Sequence, residues 1–108
     1  MKIVPSLFVC ALSITTAFAD DFPRFQVDAS WPKPLPNNWI MGQAAGVAVD
    51  AQDNVYVLHR PRTLKPEDAA KAAPPVMVFD TAGNFVKSWG GPGSGFEWPE
   101  REHGIHID

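Results

Sequence analysis

The chain has 108 residues, with nine Lys/Arg against twelve Asp/Glu, a formal charge of −3 and a mean hydropathy near zero. The balance is mildly acidic and no basic cluster stands out, so nucleic acid is not an expected partner. A single cysteine, Cys10, excludes a disulfide framework.

Met1 and Lys2 open the chain with positive charge, Ile3 to Leu12 is a mostly apolar run without charge, and Ala17-Phe18-Ala19 precedes Asp20. This is the order of a secretory signal peptide with cleavage after Ala19. The apolar run is shorter than the ~20 residues of a membrane span, and Pro5 disfavours a spanning helix. Cys10 follows Val9 rather than a small residue, which argues against lipidation, and it leaves with the leader. The expected location is secreted or periplasmic. The mature chain keeps 89 residues, eight basic and twelve acidic, with no later apolar stretch long enough to cross a membrane.

The organisation reads as a signal peptide (1–19), an extended N-terminal segment (20–45) and a repeat unit (46–108). Phe22 to Trp39 carries four prolines, which exclude a regular helix and most sheet interiors. It is expected to lie extended on a surface, pinned by Trp31 and Trp39. The alternating Phe25-Gln26-Val27-Asp28 suggests a short strand.

Gly46-Val47-Ala48-Val49-Asp50 predicts a first strand, Ala51 to Asn54 a turn, and Val55-Tyr56-Val57-Leu58-His59 a second strand rich in β-formers. Arg60 to Pro75 connects. Within it, Pro66 to Ala73 suits one or two helical turns, with proline first and acids in the opening turn. Pro75-Val76-Met77-Val78-Phe79 predicts a third strand, Asp80 to Asn84 a turn, and Phe85-Val86-Lys87-Ser88-Trp89 a fourth. Gly90 to Gly95 lacks the Gly-Lys-Ser/Thr ending and following helix of a phosphate loop and reads as a connection. Trp89, Phe96 and Trp98 read as packing residues.

The opening phrase then returns. Gly104-Ile105-His106-Ile107-Asp108 repeats Gly46-Val47-Ala48-Val49-Asp50 after 58 residues, or 45 once the 13-residue stretch 61–73 is set aside. Four short strands in a unit of ~40–50 residues are the signature of a propeller blade. The fold class is therefore expected to be all-β: one four-stranded blade plus the first strand of the next. A six-bladed ring needs ~270 residues, so the chain is expected to be the N-terminal part of a longer monomeric propeller. Alone it would leave apolar faces and strand edges open.

The repeat resembles the NHL type of blade. The residues that carry the likeness are Gly46 to Asp50, Asn54 to Val57, Val78-Phe79-Asp80, Gly83 to Val86, Trp89-Gly90 and Gly104 to Asp108. A narrower resemblance is to the peptidyl-α-hydroxyglycine α-amidating lyases, through Gly46 to Asp50, His59-Arg60, Val78-Phe79-Asp80 and His103 to Asp108. That resemblance implies zinc-dependent cleavage of a peptide ending in α-hydroxyglycine to a peptide amide and glyoxylate. Arg60 would face the substrate's carboxylate, His103 would be the first of three zinc-binding histidines, and the carbonyls of Val47 and Ile105 would hold a structural calcium. The catalytic tyrosine and the other two histidines have no counterpart here, so this chain is expected to be inactive alone. Pro61 to Leu64 and the missing disulfides depart from the family pattern.

From the residues alone, Arg60 is either a strand-end surface arginine or a fork for a carboxylate. His103 is either a loop histidine or a zinc ligand. His106 and Asp108 fall on the other side of their strand from His103 and Ile105 and are not expected to be ligands. Asp50 and Asp108 suit turn capping, and His59 a structural place beside Arg60. Two other functions fit the architecture: a non-catalytic propeller serving as a protein- or ligand-binding scaffold, and a calcium-dependent propeller hydrolase.

Overall fold

The structure, a computed structural model, describes residues 2–5, 10–14 and 21–108. The expected cleavage site Ala17-Phe18-Ala19 lies outside the described residues. No helix among those described is long and apolar enough to cross a membrane.

The fold is an antiparallel four-stranded sheet. Strands β1 (Gln43–Val49), β2 (Val55–Arg60), β3 (Val76–Phe79) and β4 (Phe85–Trp89) lie in the order β1-β2-β3-β4. Each strand pairs with the next, with Val47 opposite Val57, Val57 opposite Met77, and Val78 opposite Lys87. The register shifts between Ala44 and Gly46 in β1 and between Val78 and Phe79 against β4, which leaves Ala45 and Val86 as extra residues. Such bulges bend a strand and sharpen its twist.

Both hairpins turn on the same device. Asp50 Oδ1 accepts from the amides of Gln52 and Asn54, and its Oδ2 from the Asn54 side chain. Asp80 accepts in the same way from the amide and side chain of Asn84. The residue before each asparagine, Asp53 or Gly83, has a positive φ of 62° or 84°. Asp and Asn are suited to such loops because their short side chains satisfy nearby backbone amides.

Alternation sends the strand residues to two faces. On one, Val57, Met77 and Phe79 form a buried cluster with Ala73. Burying a side chain the size of Met77 or Phe79 stabilises by roughly 1.5–3 kcal/mol each. Residues 31–41 roof this face. Trp31 meets Phe79 edge-on at 5.5 Å between ring centres, and Trp39 meets Phe85 at 5.9 Å. The strap is tied to the β3–β4 turn by Lys33 N–H donating to Gly83 O at 3.0 Å and by Trp31 Nε1 donating to Thr81 O at 3.3 Å. On the other face, Leu58, Val76 and Val78 are covered by Tyr56, Trp98 and Ile105.

Four local expectations differ. Phe25 to Asp28 is not a strand, since none of the described residues pairs with it; Asp28 instead closes a turn by accepting from the Ser30 amide and hydroxyl. Strand β1 begins at Gln43 rather than Gly46, because Gln43 and Ala44 pair with Arg60 and His59 across the bulge. The helical turns expected over 66–73 reduce to one 3-10 turn, Ala69–Lys71. There Ile40 takes the backbone, donating to Lys71 O at 2.8 Å and accepting from Ala73 N–H at 2.9 Å. Gly104 to Asp108 forms no strand, because no neighbouring strand offers it a ladder among the described residues.

That last segment is nonetheless placed. A Cβ built on Gly46 would lie 3.3 Å from both Gly104 Cα and Ile105 N. The two copies of the repeated phrase therefore lie against each other, glycine to glycine. The absence of a side chain at Gly46 permits the approach.

Candidate functional site

Arg60 ends β2 on the face that carries Tyr56 and Leu58, while His59 points to the opposite face. The Arg60 side chain crosses to the C-terminal segment, where Nε donates to the carbonyl of Glu102 at 2.7 Å. The chain then turns through a 3-10 turn, Pro61–Thr63, opened by a proline preset for it. Thr63 locks this corner: its hydroxyl donates to Arg60 O at 2.7 Å and accepts from Gln43 N–H at 2.8 Å. The corner leaves no room at Gly42, where a Cβ would collide with the Arg60 carbonyl oxygen and approach Thr63 Oγ1 to 2.5 Å.

Alternation at the C-terminal segment completes the site. Glu102 turns inward and is 7 % exposed, whereas Arg101 and His103 on either side are exposed. Glu102 Oε1 accepts from Trp98 Nε1 at 2.9 Å, and its Oε2 lies 4.0 Å from Arg62 Nη2. Arg60, Arg62, Thr63, Arg101 and His103 together line an open depression of about 350 Å³. Three guanidiniums converge there, and among the described residues no carboxylate lines the wall. Such an arrangement suits a carboxylate or another small oxyanion, since each guanidinium offers a planar fork of donors.

His59 supports this corner from behind and is completely buried. Its Nδ1 accepts from Gly42 N–H at 3.0 Å, and its Nε2 faces the carbonyls of Pro74 at 2.8 Å and Ala73 at 3.1 Å. Those partners assign the neutral tautomer with the proton on Nε2. Burial holds the imidazole below its ordinary value; hydrogen bonds to the Pro74 and Ala73 carbonyls and the charge of Glu102 oppose the shift without overcoming it. His59 is a structural residue tying β1, β2 and the end of the connection together.

Arg60 and His103 thus share one depression. Val47 and Ile105 lie elsewhere: Val47 is exposed on β1, and Ile105 is half-buried against Leu58, Val76 and Val78. Gly46, the residue before Val47, faces the Ile105 backbone: a Cβ built on it would lie 3.3 Å from Ile105 N. His106 is exposed and does not line the depression. Reading the sequence overlooked Arg62, Thr63 and Arg101. The signal for Arg101 was present in Arg101-Glu102-His103, where alternate residues in an extended chain share a side; Arg62 and Thr63 are brought in by the 3-10 turn Pro61–Thr63.

A zinc centre normally takes three protein ligands. Among the described residues no group of three or more His, Cys, Asp or Glu is disposed to hold a metal, and His103 has arginines for neighbours. These residues do not build a zinc site by themselves. Calcium needs six to eight oxygens, of which the carbonyls of Val47 and Ile105 could give two at most. Comparison with known protein families, with curated proteins and with solved structures returns no match.

Proposed function

We propose that this chain forms the opening blade of an exported NHL-type propeller resembling the peptidyl-α-hydroxyglycine α-amidating lyases. In this reading its part in the chemistry is to capture the substrate's carboxylate at Arg60. The observation that carries the proposal is the meeting of Arg60 and His103 in one arginine-rich depression. The four-stranded meander and the contact between Gly46 and Gly104 support it, since equivalent inner strands of successive blades are neighbours in a ring.

Arg60 can present its terminal nitrogens to a carboxylate while Nε stays bonded to Glu102 O. Arg62 and Arg101 raise the local positive potential and draw an anion in. Zinc at His103 and calcium on the carbonyls of Val47 and Ile105 belong to the same proposal, and both would need ligands beyond these residues. The chain alone then binds carboxylates without turning them over.

The test titrates glycolate and its neutral analogue glycolamide into the purified chain, followed by NMR at the Arg60 Nε–H and the His103 ring. Saturable shifts with glycolate alone, lost in Arg60→Ala, are the expected result. Equal response to glycolamide would refute the carboxylate role, and glyoxylate release by the chain alone from an added N-acyl-α-hydroxyglycine would refute its inactivity.

A further inference from the structure

The arginine-rich depression carries more positive charge than one carboxylate uses. Arg60 commits Nε to the carbonyl of Glu102 and keeps its terminal nitrogens for a ligand. Those nitrogens supply one planar fork, enough for the two oxygens of a single carboxylate. Arg62 and Arg101 are then surplus, and both are exposed to solvent.

The protein offsets only part of this charge itself. The buried Glu102 carboxylate stands 4.0 Å from Arg62 Nη2, and among the described residues this is the one ion pair. Glu100 is exposed and lines a neighbouring cavity rather than the depression. Three guanidiniums against the one Glu102 carboxylate leave two positive charges at an opening of about 350 Å³. The guanidiniums also stand on two separate segments. Arg60 and Arg62 belong to the end of β2 and the 3-10 turn after it, and Arg101 to the C-terminal segment. A ligand with acids at two points can engage both segments, whereas a single carboxylate fills one fork.

We propose, resting on the capture of one carboxylate by Arg60, that the depression binds a dicarboxylate. The second carboxylate goes to Arg101, with Arg62 adding to the local positive potential. In a peptide substrate that second acid is an aspartate or glutamate next to the C-terminal residue. The substrate class is therefore acidic, beyond having a terminal carboxylate.

The experiment titrates L-malate and its 4-amide, near-isosteres that differ by one carboxylate, into the purified chain. Ionic strength is held constant, because salt screens exposed charges. ¹H–¹⁵N NMR follows the Nε–H signals of Arg60 and Arg101. The expected result is that malate shifts both signals saturably and binds about tenfold or more tighter than the amide, the scale of one charge-assisted hydrogen bond. Arg101→Gln should remove most of that ratio. Sulfate, with two charges in one compact group, should bind more weakly than malate. Equal affinity for malate and its amide, with the Arg60 signal moving for both, would overturn the dicarboxylate proposal and leave the carboxylate role of Arg60 standing. No response to either would overturn both. Sulfate binding as tightly as malate would overturn the proposal too, since charge alone would then suffice.

Discussion

Gly46 and Gly104, 58 residues apart, lie so close that a Cβ on the first would stand 3.3 Å from the Cα of the second. The contact sets Ile105 on the Leu58, Val76 and Val78 cluster and, two residues back, sets His103 beside Arg60. It is asymmetric, because a Cβ on Gly104 would meet nothing within 4 Å. Gly46→Val should therefore destabilise by about 1–3 kcal/mol through overpacking, while Gly104→Val should stay within about 0.5 kcal/mol of the parent. Denaturant melts of the two variants, followed by tryptophan fluorescence, check this.

The corner at Gly42 should be equally intolerant. A methyl group there needs the Arg60 carbonyl to move, and Arg60 would carry its guanidinium with it. Gly42→Ala is expected to lower stability by roughly 1–3 kcal/mol and to weaken glycolate binding at the same time. Calorimetric titration beside a melt separates the two effects.

His59 should make the fold acid-sensitive below neutrality. Burial lowers its folded pKa beneath the ordinary 6.5, so the unfolded chain takes up the proton first. The stabilisation is complete above pH 6.5 and is lost as the pH falls below that value and through the folded pKa. His59→Leu should remove this dependence and cost about 2–3 kcal/mol, because Gly42 N–H and the carbonyls of Ala73 and Pro74 lose their partner. Melts across the mildly acidic range test both statements.

The turn aspartates act at lower pH. Asp50 and Asp80 are both held below 3.8, first by the side-chain amides of Asn54 and Asn84. Their contribution is present above 3.8 and disappears as the pH falls through the lowered folded values. Asp50→Ala and Asp80→Ala should each lower the melting temperature near neutrality, and the double variant should show a shallower acid limb than the parent.

Much of the sheet was legible because its strands carry dense β-formers between strong turn residues. Phe85 to Trp89 matches β4 residue for residue, and Val55 to His59 falls one residue short of β2. Gln43 and Ala44 have weak β preference and join β1 only because Arg60 and His59 pair with them. The helical pattern over 66–73 gave way because Ile40 claims backbone groups at Lys71 and Ala73, a contact between distant segments. At the site, Arg60 and His103 were legible as separate residues. Their convergence was not, because it depends on the inward turn of Glu102 and on the Gly46 contact.

The most direct test of the account is the interproton contact between Gly46 Hα and Gly104 Hα in a nuclear Overhauser spectrum of the intact chain. A clear cross-peak between these two residues is expected, together with contacts from Ile105 to Leu58 and Val76. A spectrum that shows the β1–β2 pairing but no Gly46–Gly104 cross-peak would contradict it. The C-terminal segment would then lie elsewhere, and Arg60 and His103 would not share a site.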